Sequence, residues 1–516
     1  KVKVPLIKGP NRLLFMIYNN GGGHGFYFST SKTPGSKSRQ TINAVWNQIR
    51  SDFPAETDAR QIRWELKDRI WSKPWKSGDF RQLAQRYASR AGSGEIADTA
   101  LKLAKSCSTP KSLQAVREAY YLNKWAGEAE GFRQQLNEDA LVRAVRSIAH
   151  RFPEAAGANT DRLARIEAMV KEADTIVREA RTKDAKALAA IEPFLFRWTA
   201  LRKDALLANP ALDFKRVLFV KRKGTEGLTQ NWQGNDRLHN RKIDNEIAAF
   251  PLRSSHADDV TLFKPKERTF VGDVDLHFDA TRMLFSTNGT VCEANIDGSG
   301  FRKVITEIDS YDPCYLPDGR VLFISNSGHH AVPCVGGNDY VGNLHIANAD
   351  GTAIRRLCFD QDNNWNPTVL ANGRVFYTRW EYTDSAHYFS RVLMHMNPDG
   401  TNQVEFYGSN SYWPNSLFFA RPIPESSTKF IAIVSGHHGP AKMGEMVLFD
   451  AALGRHEADG AIQKIPGFGK PVNPVIKDNL VGNTWPKFLH PYPVDEETFL
   501  VACRPSASSS WGIYLA

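Results

Sequence analysis

Apolar positions in the second half of the chain fall in short recurring runs, each placed after a turn and a basic residue. They are Arg216-Val-Leu-Phe219 after Asp213, Arg282-Met-Leu-Phe285 after Asp279, Arg320-Val-Leu-Phe323 after Asp318, and Arg374-Val-Phe-Tyr377 after Asn372. Shorter echoes stand at Lys429-Phe-Ile-Ala432 and Thr498-Phe-Leu-Val501. A second motif alternates with the first: Asn295-Ile-Asp-Gly298, Asn348-Ala-Asp-Gly351 and Asn397-Pro-Asp-Gly400. Asp-Gly and Asn-Gly tolerate positive φ at tight hairpins, so each marks two strands meeting. Successive anchors (Arg216, Arg282, Arg320, Arg374, Lys429, Thr498) lie 66, 38, 54, 55 and 69 residues apart. A four-stranded blade takes roughly 40–45 residues, and the surplus reads as loop insertions. The pattern predicts a β-propeller over residues 208–516, with about six visible blades and the last incomplete. A single small sheet cannot bury both faces, and stacking blades radially solves that while protecting the edges. The alternative is a twisted open sheet, which regular recurrence argues against.

The front of the chain has other periods. Across residues 1–33, Leu13, Phe15 and Ile17 alternate with Leu14, Met16 and Tyr18, a period of two that predicts the closing strands of a β-sandwich. Across 40–207 the apolar spacing is helical, as in Leu83, Tyr87, Leu113, Val116, Leu141, Val145 and Ile148, with prolines at helix starts or breaks. The run from Asp161 to Ala190 has no Gly or Pro and predicts one long amphipathic helix. A glycine- and charge-rich insertion at Lys221–Ile243 interrupts the propeller region.

At 516 residues and 42% hydrophobic content the chain has material for two or three packed domains. No apolar run approaches the ~20 residues that a bilayer crossing needs. The net charge of +10 divides unevenly: residues 1–250 carry 44 basic against 27 acidic side chains, and residues 251–516 carry 22 against 29. The Lys and Arg of the front half are spread evenly and no nucleic-acid motif is present, so solvated helix faces beside an acidic neighbour explain the excess. The chain opens on Lys1 and closes on what reads as a strand in mid-blade, as a piece of a longer protein would. Six cysteines include no Cys-x-x-Cys, which excludes a zinc knuckle or a covalent haem attachment within these residues. Cys314 and Cys334 flank one blade strand and its loop and are candidates for a disulfide; the alternative is two buried thiols.

Chemistry is expected in the loops that follow blade strands. His329, His330, His437, His438 and His490 all lie in such loops, which converge at one end of a propeller channel. His329, His330, His437 and His438 are candidate ligands of a divalent metal, and His437, His438 and His490 candidate acid–base groups. The alternative is that glycine-flanked histidines only tie loops together. Pro follows Asp312, Asn366, Trp413 and Trp485 just ahead of blade strands, which ends pairing there and turns those four residues toward the channel as candidate substrate contacts. Trp413 and Trp485 are expected to stack on sugar rings, with inter-blade packing as the other reading.

Asp312-Pro-Cys-Tyr-Leu-Pro-Asp-Gly-Arg-Val-Leu-Phe323, Val332-Pro-Cys-Val-Gly-Gly337, Tyr412-Trp-Pro-Asn415, Ala420-Arg-Pro-Ile-Pro424 and Ser435-Gly-His-His-Gly-Pro440 carry a resemblance. In these phrases the span from about Leu212 onward resembles the middle domain of the hydrazine synthase alpha-subunit family, and more distantly TolB-like propellers and oligogalacturonate lyase. The glycine turn and aromatic strand at residues 19–28 look like the end of a galactose-binding-like jelly roll. The resemblance implies an exported, secreted or periplasmic bacterial protein that binds or cleaves polysaccharide at its propeller. If it is an enzyme, the resemblance implies a polysaccharide lyase or hydrolase, with a histidine-bound divalent metal as in the lyase. A different class is also implied: a non-catalytic scaffold, or a subunit of a c-type haem assembly whose haem domain lies outside these residues.

Overall fold

The computed structural model describes residues 52, 76–90, 95–181, 185–239, 241–253, 259–335, 337, 339–381, 391–408 and 410–516. The expected sandwich strands at 1–33 and most of the helical stretch before residue 76 lie outside them. The described residues fall into two compact units, one within 1–136 and 169–196, the other within 137–168 and 197–516.

The first unit is helical. Helices α1 (Ser77–Ala88), α2 (Glu95–Ser106) and α3 (Pro110–Gln135) share a core of Leu83, Tyr87, Ala100, Ala104, Leu113, Val116 and Tyr120. Thr109 caps α3 by accepting from the Ser112 backbone N–H, and Pro110 occupies the first turn, where no donor is needed. Buried Asp52 accepts from the Tyr87 hydroxyl at 2.6 Å and from Arg117 Nη2 at 3.0 Å. Helix α4 (Glu138–Arg151) belongs to the second unit. It is tied there by Arg151 to Asp495 at 2.5 Å and to Thr498 Oγ1 at 3.0 Å, and by Arg143 over the Phe468 ring. Helices α5 (Ala156–Arg181), α6 (Ala185–Ala189) and α7 (Ile191–Leu207) follow, with residues 182–184 of the expected long helix lying outside the described residues.

The second unit is β-rich. Strands β1 (Arg216–Arg222), β2 (Asn245–Pro251) and β3 (Val260–Phe263) make the first antiparallel sheet. Strands β4 (Val271–Leu276), β5 (Arg282–Thr287), β6 (Thr290–Asn295) and β7 (Arg302–Lys303) make the second. The third is β8 (Tyr311–Tyr315), β9 (Val321–Ser325), β10 (Asn343–Ala347) and β11 (Arg355–Arg356). The fourth is β12 (Asn364–Val369), β13 (Val375–Trp380), β14 (Arg391–Met396) and β15 (Val404–Tyr407). The fifth is β16 (Ser416–Pro422), β17 (Lys429–Ser435), β18 (Glu445–Asp450) and β19 (Ala461–Ile465), whose one strand-pairing bridge to the fourth among the described residues is the parallel pair Arg391–Ser416. Strands β20 (Lys487–Pro493), β21 (Phe499–Arg504) and β22 (Gly512–Leu515) make the sixth.

Each sheet shares an apolar core with the next, as blades do in a propeller. In the second to fifth sheets the recurring motif is the second strand (β5, β9, β13, β17), buried on both faces, with successive side chains alternating between two cores; its first copy instead forms β1, the first strand of its sheet, and is only partly buried. In β9, Leu322 and Ile324 enter the core shared with the fourth sheet, while Val321 and Phe323 enter the core shared with the second. In β17, Phe430, Ala432 and Val434 face the fourth sheet, while Ile431 and Ile433 face the sixth. Val494, Leu500 and Leu515 of the sixth sheet's region pack on Val217 and Leu252, so the series of cores returns to the first sheet.

The Asp-Gly motif is the hairpin between third and fourth strands. In each copy the Asp side chain accepts from the backbone and hydroxyl two residues on: Asp297 from Ser299, Asp350 from Thr352 and Asp399 from Thr401. The glycine then lies against the preceding sheet. A Cβ on Gly298, Gly351 or Gly400 would stand 2.4, 1.9 or 3.2 Å from an atom of Leu262, Val304 or Leu357, respectively. Gly319, in the hairpin before β9, shares the same φ of +86° as Gly351 but faces open space. An L side chain at such φ costs about 1–2 kcal/mol. Gly351→Ala should therefore lose at least about 1 kcal/mol more than Gly319→Ala in urea unfolding. Equal losses would show that the hairpin does not bear on its neighbour.

Candidate functional site

The inner strands of five sheets share one irregularity. The pairing register shifts between Gly272 and Asp275 in β4, Tyr311 and Cys314 in β8, Trp365 and Thr368 in β12, Phe418 and Arg421 in β16, and Leu489 and Tyr492 in β20. At each bulge one residue has positive φ: Asp273 (52°), Asp312 (51°), Asn366 (51°), Phe419 (51°) and His490 (49°). Pro313, Pro367 and Pro491 come next, at positions where a bulge leaves the ladder without a bond to make. Five sheets thus present the equivalent side chain on one axis.

These side chains hold the sheets to one another. Asp273 Oδ2 accepts from the Asp312 backbone N–H at 3.2 Å, and Asp312 Oδ2 accepts from the Asn366 N–H at 2.6 Å. Asn366 Oδ1 accepts from the Phe419 N–H at 3.1 Å, and the Phe419 ring lies 4.1 Å from that of His490, centroid to centroid. Among the described residues the first sheet has a register shift at Ile247–Ala248 but no side-chain-bearing residue of positive φ there; Asn235 donates to Asp273 Oδ1 at 2.6 Å in its place. Two residues further along the strands, Asp275 accepts from the Tyr315 N–H at 2.9 Å and pairs with Arg421 at 3.5 Å. Asp273 and Asp312 are partly exposed and His490 is exposed, all three where the inner strands of the sheets come together, the position that a propeller's channel takes.

The charged insertion covers one end of this channel. It runs between β1 and β2 and bonds to four successive sheets. Asn235 meets Asp273, and Asp236 accepts from Asn326 Nδ2 at 3.3 Å. The Gln233 carbonyl accepts from Trp365 Nε1 at 3.0 Å, the Asn231 carbonyl from Arg391 Nε at 3.1 Å, and Asn231 Nδ2 donates to Ser435 Oγ at 3.1 Å. Trp232 lies beside His437 and His438.

Enclosure sets the ionisation of the lining. Burial, with the Asp273 charge adding to it, pushes Asp312 up to about 7, and burial raises Asp273 as well. Burial lowers Lys442, whose side chain faces Asp312, Asp273 and Asp236, to about 8. His490 falls to about 3, first by burial and then by the charges of Arg222, Arg421 and Lys442, so it is neutral at physiological pH.

The residues expected from sequence separate into groups. Asp312 and Asn366 face the channel as bulge residues. Trp413 does not: it is buried in the core between the fourth and fifth sheets, with its ring 5.9 Å from Phe449, because it precedes β16 and lies outside the bulge. Trp485 likewise precedes β20 and stacks against Lys487 Nζ at 4.0 Å and Arg504 at 4.9 Å. His437 is buried among Trp232, Trp380 and His438, while exposed His438 bonds Asp478 through Nδ1 at 2.9 Å. His329 lies against Tyr340, and His330 Nε2 is 3.2 Å from the Asp360 carbonyl. Among the described residues no three His, Cys, Asp or Glu side chains gather where one metal ion could be held. Cys314 is a free thiol buried between the third and fourth sheets, and the expected bridge to Cys334 is not made. The Cys334 side chain lies outside the described residues.

Sequence reasoning missed Asp273, Phe419, Arg421 and Lys442. The ring positions stand eight to ten residues ahead of the anchors Arg282, Arg320, Arg374, Lys429 and Thr498, a spacing that aligning the repeats on those anchors would have exposed.

No family model matches the sequence, and no curated protein does. Among solved structures, Kuenenia stuttgartiensis hydrazine synthase is similar at 15% identity and a TM-score of 0.43, over 58% of this chain and 43% of that one. The chain therefore spans under half of that protein's length. TolB from Acinetobacter baumannii is similar at 10% identity and 0.35, over 61% and 69%. Oligogalacturonate lyase in complex with manganese is similar at 11% and 0.34, over 58% and 90%. These are TolB-like propeller structures, and likenesses this distant carry no argument about activity. Among the described residues no helix is long and apolar enough to cross a membrane.

The raised Asp312 gives a pH test. In the window between its unfolded value of about 4 and its folded value of about 7, the folded state binds the extra proton, so this group lowers stability as pH rises. Asp312→Asn keeps an acceptor for the Asn366 N–H and removes the proton. Urea unfolding from pH 5 to pH 8 should show a shallower decline in the variant. An unchanged slope would mean that Asp312 titrates normally.

Proposed function

We propose that the second unit is a six-bladed β-propeller of an exported, multi-domain protein, and that its channel binds a polysaccharide or an oligosaccharide derived from one. The observation that carries this reading is the enclosed but solvent-accessible ring of Asp273, Asp275, Asp312, Asn366, Arg421 and His490. A lining of mixed charge suits a ligand rich in hydroxyl groups, which need both donors and acceptors, and does not suit an apolar one. Tyr492, half exposed and within 6.0 Å of the Arg421 guanidinium, adds an aromatic face on which a sugar can stack.

Binding, not cleavage, is what this geometry favours. The carboxylates best placed to act, Asp273 and Asp312, already hold the backbone of the next sheet. His490 is too weak a base, and His437 and His438 lie with Trp232 of the covering segment.

Calorimetric titration with a panel of neutral and acidic oligosaccharides tests the reading. At least one should bind, and Arg421→Ala should weaken it about tenfold or more, the loss of one charge-assisted contact. No binding by any of the panel, or binding indifferent to Arg421, would remove the channel as the site.

A further inference from the structure

The covering segment meets β8 through a carboxyl poorly placed to be an anion. Asp236 Oδ1 and the Tyr311 hydroxyl are both buried, and neither has a hydrogen-bond partner among the described residues. A Cβ placed on Gly234 would stand 2.5 Å from the Tyr311 oxygen and 2.7 Å from Asp236 Oδ1, so both oxygens crowd the same point over that glycine. A Cβ on Gly342 would also collide with the hydroxyl, which is thus enclosed between the segment and the third sheet. Asp236 Oδ2 accepts from Asn326 Nδ2 at a long 3.3 Å. Arg237, next in the chain, is 2.5 Å from Asp339, which also accepts from Gln233 Nε2 at 3.3 Å. A carboxyl in such a place is tolerable with its proton and costly without it, because a buried anion needs partners.

We propose that Asp236 is a proton latch: residues 231–237 dock on β8 with this carboxyl protonated and loosen as it ionises, uncovering their end of the channel. The charged and titratable groups around it are Arg237 in the segment, Tyr311 of β8, Asp339 of the β9–β10 loop and Lys442 of the β17–β18 loop. His239, just past the segment, lies edge-on to the Tyr311 ring with centroids 5.7 Å apart. The inference does not rest on the carbohydrate reading, since docking is read without any ligand.

Burial, with the Asp339 charge adding to it, pushes Asp236 up to about 6, while Asn326 and Arg237 work against the rise. Once the segment lifts, the carboxyl meets water and returns to its ordinary value of about 4. The docked form therefore binds the proton more tightly. This contribution to docking is fully present below about pH 4 and is lost as pH rises through about 6. Two other groups titrate at the same contact. Burial lowers His239, whose protonation favours lifting at acid pH, and Asp273 accepts from Asn235. Comparison with Asp236→Asn cancels both.

Hydrogen exchange read by mass spectrometry at pH 5 and pH 8, corrected for intrinsic rates, provides the test. The Gln233 and Arg237 N–H groups bond within the segment, to the Gln230 and Gly234 carbonyls, so their exchange reports its opening; the amides of β17 report the whole unit. Relative to β17, the ratio of wild-type to Asp236→Asn opening should rise about tenfold from pH 5 to pH 8. A ratio that stays constant overturns the proposal. Should Asp236→Asn fail to fold, Asn326→Ala is read in its place. It removes a bond that favours the anion, so the pH at which the segment loosens should move upward. An unmoved midpoint in that variant overturns the proposal equally.

Discussion

Every sheet of the β-rich unit must be covered on both faces, and the structure follows from that requirement. A second strand such as β9 or β17 sends alternate side chains into two different cores, so no sheet is complete without both neighbours. Apolar burial at about 25 cal/mol per Å² is non-directional and would tolerate a sliding interface. Directional contacts fix the position. The hairpin glycines press against the preceding sheet, and the bulge residues of β4, β8 and β12 bond the backbone of the next inner strand.

The same bulges place polar chemistry on the axis. Left-handed backbone in five inner strands is strained for any residue with a side chain. Asp and Asn tolerate it best, and they occupy three of the five positions. With Phe419 and His490 at the other two, the axis is lined with carboxylates, an amide, an imidazole and a ring, while Arg421 and Asp275 form the next layer. Burial by the surrounding strands moves the ionisable groups toward neutrality: Asp312 up, Lys442 and His490 down.

The insertion between β1 and β2 joins these two themes. Its backbone carbonyls and the Asn231, Asn235 and Asp236 side chains are satisfied by residues from four sheets, which makes it part of the axis and not a loose loop. It brings Trp232 against His437 and His438, and Asp236 toward Lys442. One face of the channel is therefore made by a single segment far in sequence from the strands it covers.

Local chemistry determined much of this. The Arg-Val-Leu-Phe runs specify doubly covered strands, and the Asn-x-Asp-Gly motif specifies its hairpin, because alternation and positive φ are properties of a few adjacent residues. Asp312 and Asn366 were legible as channel residues for the same reason, each carrying its Pro beside it. What lies opposite what is a matter of tertiary structure. Trp413-Pro and Trp485-Pro look like Asp312-Pro in the sequence, yet they fall outside the bulge and go to packing. The five histidines look alike in the sequence, yet they divide among separate places: His329 against Tyr340, His330 at the Asp360 carbonyl, His437 and His438 together against Trp232, and His490 in the β20 bulge beside Phe419. Lys442, with no motif around it, becomes the buried amine of the channel only because strands from distant parts of the chain bring Asp236, Asp273 and Asp312 to its side chain. Through-space fields and burial depend on where the chain returns to itself, and local sequence does not encode that.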